Sequence, residues 1–187
     1  MRIQKTKIPG LCVVQPTVFQ DGRGFFMESF NQRQFNAVLG LNVTFVQDNH
    51  SCSAKGVLRG MHYQAQQAQG KLVRVVHGTI FDAVVDLRPS SDTFGQWFSI
   101  LLSADNKQQL WVPAGLAHGF LVVSDSAEVL YKTTDYYAPA YQATLAWDDP
   151  SVGIDWPLQQ YGIAYPMLSE KDQRGRSLQD LLTSKMA

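Results

Sequence analysis

The chain is poor in cysteine: it has two, Cys12 and Cys52, in 187 residues. They lie far apart and form no Cys-x-x-Cys pair, which removes a disulfide framework and a cysteine-rich zinc site from consideration. The stretch Met1 to Gly10 shows no apolar export core, so both are expected to be buried thiols of a cytoplasmic protein. An excess of either charge is also missing, since 16 Lys and Arg balance 16 Asp and Glu. With no cationic surplus to displace counterions, no nucleic-acid partner is expected. No apolar run approaches the ~18 residues of a membrane span, so no membrane partner is expected either. Repeats, linkers and low-complexity blocks are absent. A single domain over 1–187 is therefore the simplest organisation; it would bury about 70% of its unfolded surface and need no staple to fold.

The apolar residues that are present follow strand periodicity. Leu11 to Phe19 reads as a strand broken at Pro16, and Asp21-Gly-Arg-Gly24 as a turn that places Arg23 in a loop. Leu41 to Asn49 has strand character and ends in the polar group Gln47-Asp48-Asn49-His50, which suits a turn or a binding site equally. Leu72 to His77 and Thr79 to Leu87 are β-branched runs. In the second, Phe81, Ala83, Val85 and Leu87 share one face, and Asp82 and Asp86 the other. Phe98–Leu102, Gln109–Val112, Gly119–Val123 and Glu128–Thr134 continue as short strands between turns. Helical signals are few. Asn31 to Leu39 has an Asn cap, a face of Phe35, Val38 and Leu39, and Gly40 at its end. Ser169-Glu-Lys-Asp172 resembles a capping box, and Leu178, Leu181 and Leu182 suggest a last helical turn. Many short strands with little helix predict an all-β sandwich or barrel, and a jelly roll with a few short peripheral helices is the expected form.

The chemistry concentrates between Gly56 and Lys71. Arg59, His62 and Lys71 are interleaved there with glycines, and His is the side chain whose ordinary pKa lies nearest neutrality. Pro113-Ala-Gly-Leu-Ala-His118 looks like the second histidine motif of cupins, jelly rolls that often hold a metal. The first cupin motif should supply His-x-His and a carboxylate, but this chain reads His62-Tyr-Gln64. A transition metal wants at least three N, O or S ligands, so no metal is expected. Nucleophilic hydrolysis has no Gly-x-Ser-x-Gly elbow, and phosphate-loop chemistry no Gly-x-x-x-x-Gly-Lys motif. Proton transfer next to a carbonyl suits the residues best. It needs a base, a cation for the developing enolate and an acid to return a proton, and His62, Lys71 and a tyrosine such as Tyr131 supply that set.

Taken jointly, Arg59-Gly-Met-His62-Tyr-Gln, Gly70-Lys71-Leu-Val-Arg, Val112-Pro-Ala-Gly-Leu-Ala-His118-Gly-Phe and Tyr131-Lys-Thr-Thr-Asp-Tyr-Tyr-Ala-Pro resemble the dTDP-4-dehydrorhamnose 3,5-epimerases. Asp21-Gly-Arg-Gly-Phe-Phe-Met-Glu28, Trp147-Asp-Asp-Pro and Leu168-Ser-Glu-Lys-Asp172 extend the likeness over nearly the whole chain. The resemblance implies a cupin-type homodimer, free of metal and cofactor, that inverts C3 and C5 of dTDP-4-dehydro-6-deoxy-D-glucose. It implies His62 as base, oriented by Asp172, Lys71 at the enolate oxygen and Tyr131 as acid on the opposite face. Arg59, His118 and Lys171 would contact the sugar or diphosphate, with Arg23, Glu28, Gln47 and Asn49 around the nucleotide. The N-terminal segment would cross to the partner subunit, carrying Arg23 and Glu28 with it. One position departs from the pattern: where the family usually has glutamate, this chain has Gln142, which hydrogen-bonds without charge and bears on the number of centres inverted. The alternatives are an enzyme that inverts one centre, one acting on another nucleotide-linked 4-ketosugar, and a silent cupin that binds a nucleotide sugar.

Overall fold

The computed structural model describes residues 1–185. The chain opens with β1 (Arg2–Lys5) and β2 (Cys12–Gln15), then a hairpin of β3 (Val18–Asp21) and β4 (Gly24–Met27), then helix α1 (Gln32–Leu39). Next come β5 (Gln47–Ala54), β6 (Leu58–Gln64), β7 (Lys71–His77), β8 (Thr79–Asp86) and β9 (Trp97–Ser103). They are followed by β10 (Gln109–Val112), β11 (Leu116–Val122), β12 (Ser126–Thr133) and the short β13 (Gln142–Thr144). The turn-rich remainder ends in α2 (Glu170–Gln173) and α3 (Leu178–Lys185).

Two sheets form the body: one of six strands, β1-β2-β10-β7-β12-β5, and one of five, β13-β6-β11-β8-β9. Their ladders are antiparallel throughout, and the sheets face each other as a cupin-type jelly roll. Val73, Val75, Ile80, Val84, Leu110, Phe120 and Val129 fill the space between them. The outer face of the five-stranded sheet is covered by the C-terminal segment through Trp156, Ile163, Leu178 and Leu181. Helix α1 covers part of the other sheet, pressing Phe35 against Cys12, Val14, Leu72 and Trp111. The apolar material packs one end of the interior, and the polar residues of β5, β6, β7, β11 and β12 meet at a cavity.

Several expectations hold in detail. Asn31 caps α1 by accepting from the Gln34 N–H, and Gly40 ends it in the left-handed region. Others need correction. Residues 41–46 form no strand, and the strand begins at Gln47, so the polar group Gln47–His50 is neither turn nor loop. The reason is local: side chains of α1 take the backbone groups a ladder would have used. Gln32 and Asn36 donate to the Val43 carbonyl, and their side-chain oxygens accept from Phe45 and Val43 N–H. Leu11–Phe19 divides at Pro16 between β2, inside the large sheet, and the separate β3–β4 hairpin. Val38 is exposed rather than packed beside Phe35, and Cys52 is an exposed thiol on β5, not a buried one. Asp82 and Asp86 do not face solvent: β8 is covered on both sides, and both are fully buried. Among the described residues, no helix is long and apolar enough to cross a membrane.

Candidate active site

The site is a cavity of about 370 Å³ between the two sheets. From the six-stranded sheet come Gln47 and Asn49 on β5, Lys71 on β7 and Tyr131 on β12; from the other come Arg59 and His62 on β6, His118 on β11 and Gln142 on β13. Lys171, on α2, joins at the rim.

A bulge assembles the β6 pair. Arg59 and His62 are an odd number of positions apart, so strict alternation would put them on opposite faces. On β11, however, His118 pairs with His62 and Phe120 with Arg59, two residues against three. The extra residue on β6 turns both side chains into the cavity. Glycine is required at this point. Gly60 sits at φ 133°, and a side chain there would lie 2.5 Å from the Gly119 Cα.

His62 Nε2 lies 2.5 Å from Asp172 Oδ1. Asp172 is buried at the N-terminus of α2, where its N–H donates to Ser169 Oγ and its Oδ2 accepts from the Ser169 hydroxyl. Ser169 therefore caps the helix, and its hydroxyl also braces the carboxylate that meets His62. Burial pushes its carboxyl up, but the His62 hydrogen bond and charge, with Ser169 and the Gly60 N–H, outweigh that and hold it below its usual range. A second pair stands beside the first: His118 Nε2 lies 2.9 and 3.0 Å from the two oxygens of Asp82.

Lys71 is nearly buried, and its Nζ reaches across the interior to donate to the His62 carbonyl at 3.3 Å. Desolvation lowers its pKa to about 8, partly opposed by the charge of Asp82. Tyr131 faces the same cavity from the opposite sheet to His62, and burial, acting against the field of Arg59, raises its phenol above the ordinary value. The cations Arg59, Lys71 and Lys171 have no ion-pair partner among the described residues, whereas Asp82 and Asp172 are both tied to histidines. A chain with no net charge thus gathers three cations without ion-pair partners at one cavity, which suits an anionic substrate.

Two expected residues are not brought there. Arg23 is at the tip of the β3–β4 hairpin, paired with Asp21 and almost wholly exposed, and Glu28 accepts from Asn31 on the surface. Conversely, sequence reasoning missed Ser51, Gln69, Phe120 and Tyr137, which line the cavity, and Asp82 behind His118. The signal for Asp82 was an acid flanked by apolar residues within a strand; for Ser51 it was the polar alternation Gln47, Asn49, Ser51. Tyr137 lies in a loop with no period to read. Its N–H donates to Gln47 and its hydroxyl to Gln142 Oε1 at 2.6 Å. No group of three or more His, Cys, Asp or Glu is placed to hold a metal among the described residues.

The cupin-type jelly roll thus gathers two His–Asp dyads, a buried lysine and a facing tyrosine in one cavity, groups able to take and return protons. A family model for dTDP-4-dehydrorhamnose 3,5-epimerase matches residues 5–180. The chain is 56% identical over 180 residues to the dTDP-4-dehydrorhamnose 3,5-epimerase of Pseudomonas aeruginosa, covering 96% of this chain and 97% of that one. It is 53% identical to the enzyme of that name from Escherichia coli K12, over 100% of this chain and 99% of the other. The crystal structure of dTDP-6-deoxy-D-glucose-3,5-epimerase from Legionella pneumophila, in complex with dTDP-4-keto-L-rhamnose, superposes with a TM-score of 0.93 at 46% identity, covering 99% and 96% of the two chains. The chain belongs to the dTDP-4-dehydrorhamnose 3,5-epimerase family.

Proposed function

We propose that this chain, acting as one domain, inverts C3 and C5 of dTDP-4-dehydro-6-deoxy-D-glucose to give dTDP-4-dehydro-L-rhamnose. The observation that carries the reading is that His62 and Tyr131 stand on opposite sheets and face one cavity. The C4 ketone acidifies the hydrogens on C3 and C5. His62 takes one of them, and the electrons move onto the ketone oxygen as an enolate. The Lys71 ammonium and His118, backed by Asp82, stabilise that oxygen. Tyr131 then protonates the planar carbon from the other side, and its raised pKa keeps the phenol protonated near neutrality. Asp172 fixes the His62 ring and stabilises it once protonated. Arg59 and Lys171 receive the diphosphate, and Gln47, Asn49 and Gln142 hydrogen-bond substrate at the walls and rim.

The working form is a homodimer with hairpin exchange. Phe19, Phe25 and Phe26 are more than half exposed on a hairpin that joins neither sheet, which suits burial elsewhere. Exchange would bring Arg23 of the partner subunit and Glu28 of the partner subunit to the nucleotide. The free thiols Cys12 and Cys52 fit a reducing, cytoplasmic setting.

The deciding experiment is turnover of the 4-ketosugar nucleotide in deuterium oxide, followed by NMR. Deuterium should enter at both C3 and C5. Entry at one carbon only would replace the double epimerase with a one-centre enzyme, and binding without exchange would leave a silent cupin. A monomer in sedimentation would reject hairpin exchange.

A further inference from the structure

Ser51 carries a polar atom with nothing to bind. Its Oγ is buried and has no hydrogen-bond partner, the one such side-chain atom among the described residues. Buried hydroxyls are normally satisfied, because leaving one unpaired keeps its desolvation penalty without a compensating bond. The orphan lies in the wall of the cavity. It sits on the inward face of β5 between Asn49 and Ser53, which alternation places on the same side. Its cross-strand neighbour is Val129, two residues from Tyr131, so no polar side chain opposes it on that side.

The surroundings indicate what would satisfy it. Ser53 accepts from Arg59 Nε at 3.0 Å, which ties down one edge of the guanidinium and leaves the terminal nitrogens for a ligand in the cavity. Arg59 has no carboxylate partner among the described residues. His62 and His118 are one bulged step along β6 and β11 from Arg59, and Tyr131 pairs with Asn49, the next inward position of β5. The Ser51 end therefore holds an unopposed cation next to an unpartnered donor, which matches a phosphoryl oxygen better than a ketone. A hydroxyl adjusts by rotation about χ1 alone, so the rearrangement needed is small.

We infer that Ser51 is a substrate-binding residue whose hydroxyl donates to a phosphoryl oxygen of the nucleotide diphosphate, beside the Arg59 guanidinium. This rests on the reading that the cavity takes a dTDP-sugar. No group of the chain bonds this hydroxyl, so removing it breaks no protein hydrogen bond.

The test is calorimetric titration of wild type and Ser51→Ala with dTDP and with thymidine, together with thermal unfolding of each free protein. Ser51→Ala should bind dTDP about 10- to 100-fold more weakly, the range for a lost hydrogen bond to a charged group. Thymidine affinity should be unchanged, and the loss in turnover should fall more on KM than on kcat. The free variant should unfold at the same or a higher temperature, which a structural hydroxyl would not allow. Ser51→Cys, a near-isostere with a weak donor, should fall between the two. Equal dTDP affinity in wild type and Ser51→Ala, or a clear drop in the unfolding temperature of free Ser51→Ala, overturns the inference alone. A wild-type chain that does not bind dTDP overturns the underlying reading as well.

Discussion

His62 and His118 are direct cross-strand partners on β6 and β11, and each is held by a different aspartate. The two carboxylates arrive from unrelated places: Asp172 from a helix start more than a hundred residues after His62, and Asp82 from the neighbouring strand β8. The imidazoles therefore sit side by side but are oriented independently.

Removing the base should separate chemistry from binding. His62→Asn is expected to lower kcat by about 10²–10⁴-fold and to abolish solvent-deuterium entry, with dTDP affinity retained. Asp172→Asn keeps the shape but loses the charge, and should lower kcat while His62 stays in place. Full turnover by His62→Asn would assign the base elsewhere.

Tyr131→Phe should give the opposite isotope behaviour. Abstraction by His62 is untouched, so deuterium still enters the substrate carbons, returned to the face it left. Net inversion, read by NMR of the product sugar, should be lost. If inversion persists, the acid is another group.

Lys71 links activity to pH in a direction opposite to its effect on stability. Its folded pKa of about 8 lies below the ordinary lysine value of 10.5. Turnover that depends on the ammonium should fall as pH rises through about 8. Between that value and the unfolded one, the unfolded chain binds the extra proton, so stability contributed by this site rises with pH. The difference in unfolding free energy between wild type and Lys71→Met should isolate that rise, and a kcat profile with no alkaline limb near pH 8 would show that the charge is not used.

Gly119→Ala tests the bulge. Its new Cβ would stand 2.6 Å from Met61 Sδ and 2.8 Å from the Arg59 carbonyl oxygen. Such overpacking should cost about 1–3 kcal/mol in denaturant unfolding. It should also lower activity, because Arg59 and His62 share the cavity only while β6 keeps its extra residue.

The sequence showed the all-β character, the α1 caps and most of the polar residues that the cavity gathers, because alternation, capping and side-chain chemistry are local properties. It could not show the bulge, since the odd spacing of Arg59 and His62 is legible only against the β11 register. Nor could it place Asp82, whose apparent solvent face becomes interior once the second sheet closes over it. Its neighbour Asp86 shows why the residue type alone does not decide. Asp86 is equally buried, but it is consumed by Arg88, Ser91 and Thr93, which overcome the effect of burial and depress its pKa. One acid backs a histidine in the cavity, and the other fastens a turn.

Strand β5, which supplies Gln47, Asn49 and Ser51, lies at the edge of its sheet and carries no large apolar side chain on either face. A strand polar on both sides has no hydrophobic pattern to fix its register, and a slip of one position would turn that whole wall outward. Side-chain contacts that favour the observed register over a slipped one lie on its other side: Lys132 is directly opposite Asp48 and paired to it at 2.9 Å, and His50 reaches Glu128 diagonally at 2.9 Å. These surface contacts act as a vernier for the cavity behind them. Salt that screens the Lys132–Asp48 pair can loosen the binding wall without touching a single residue that meets the substrate.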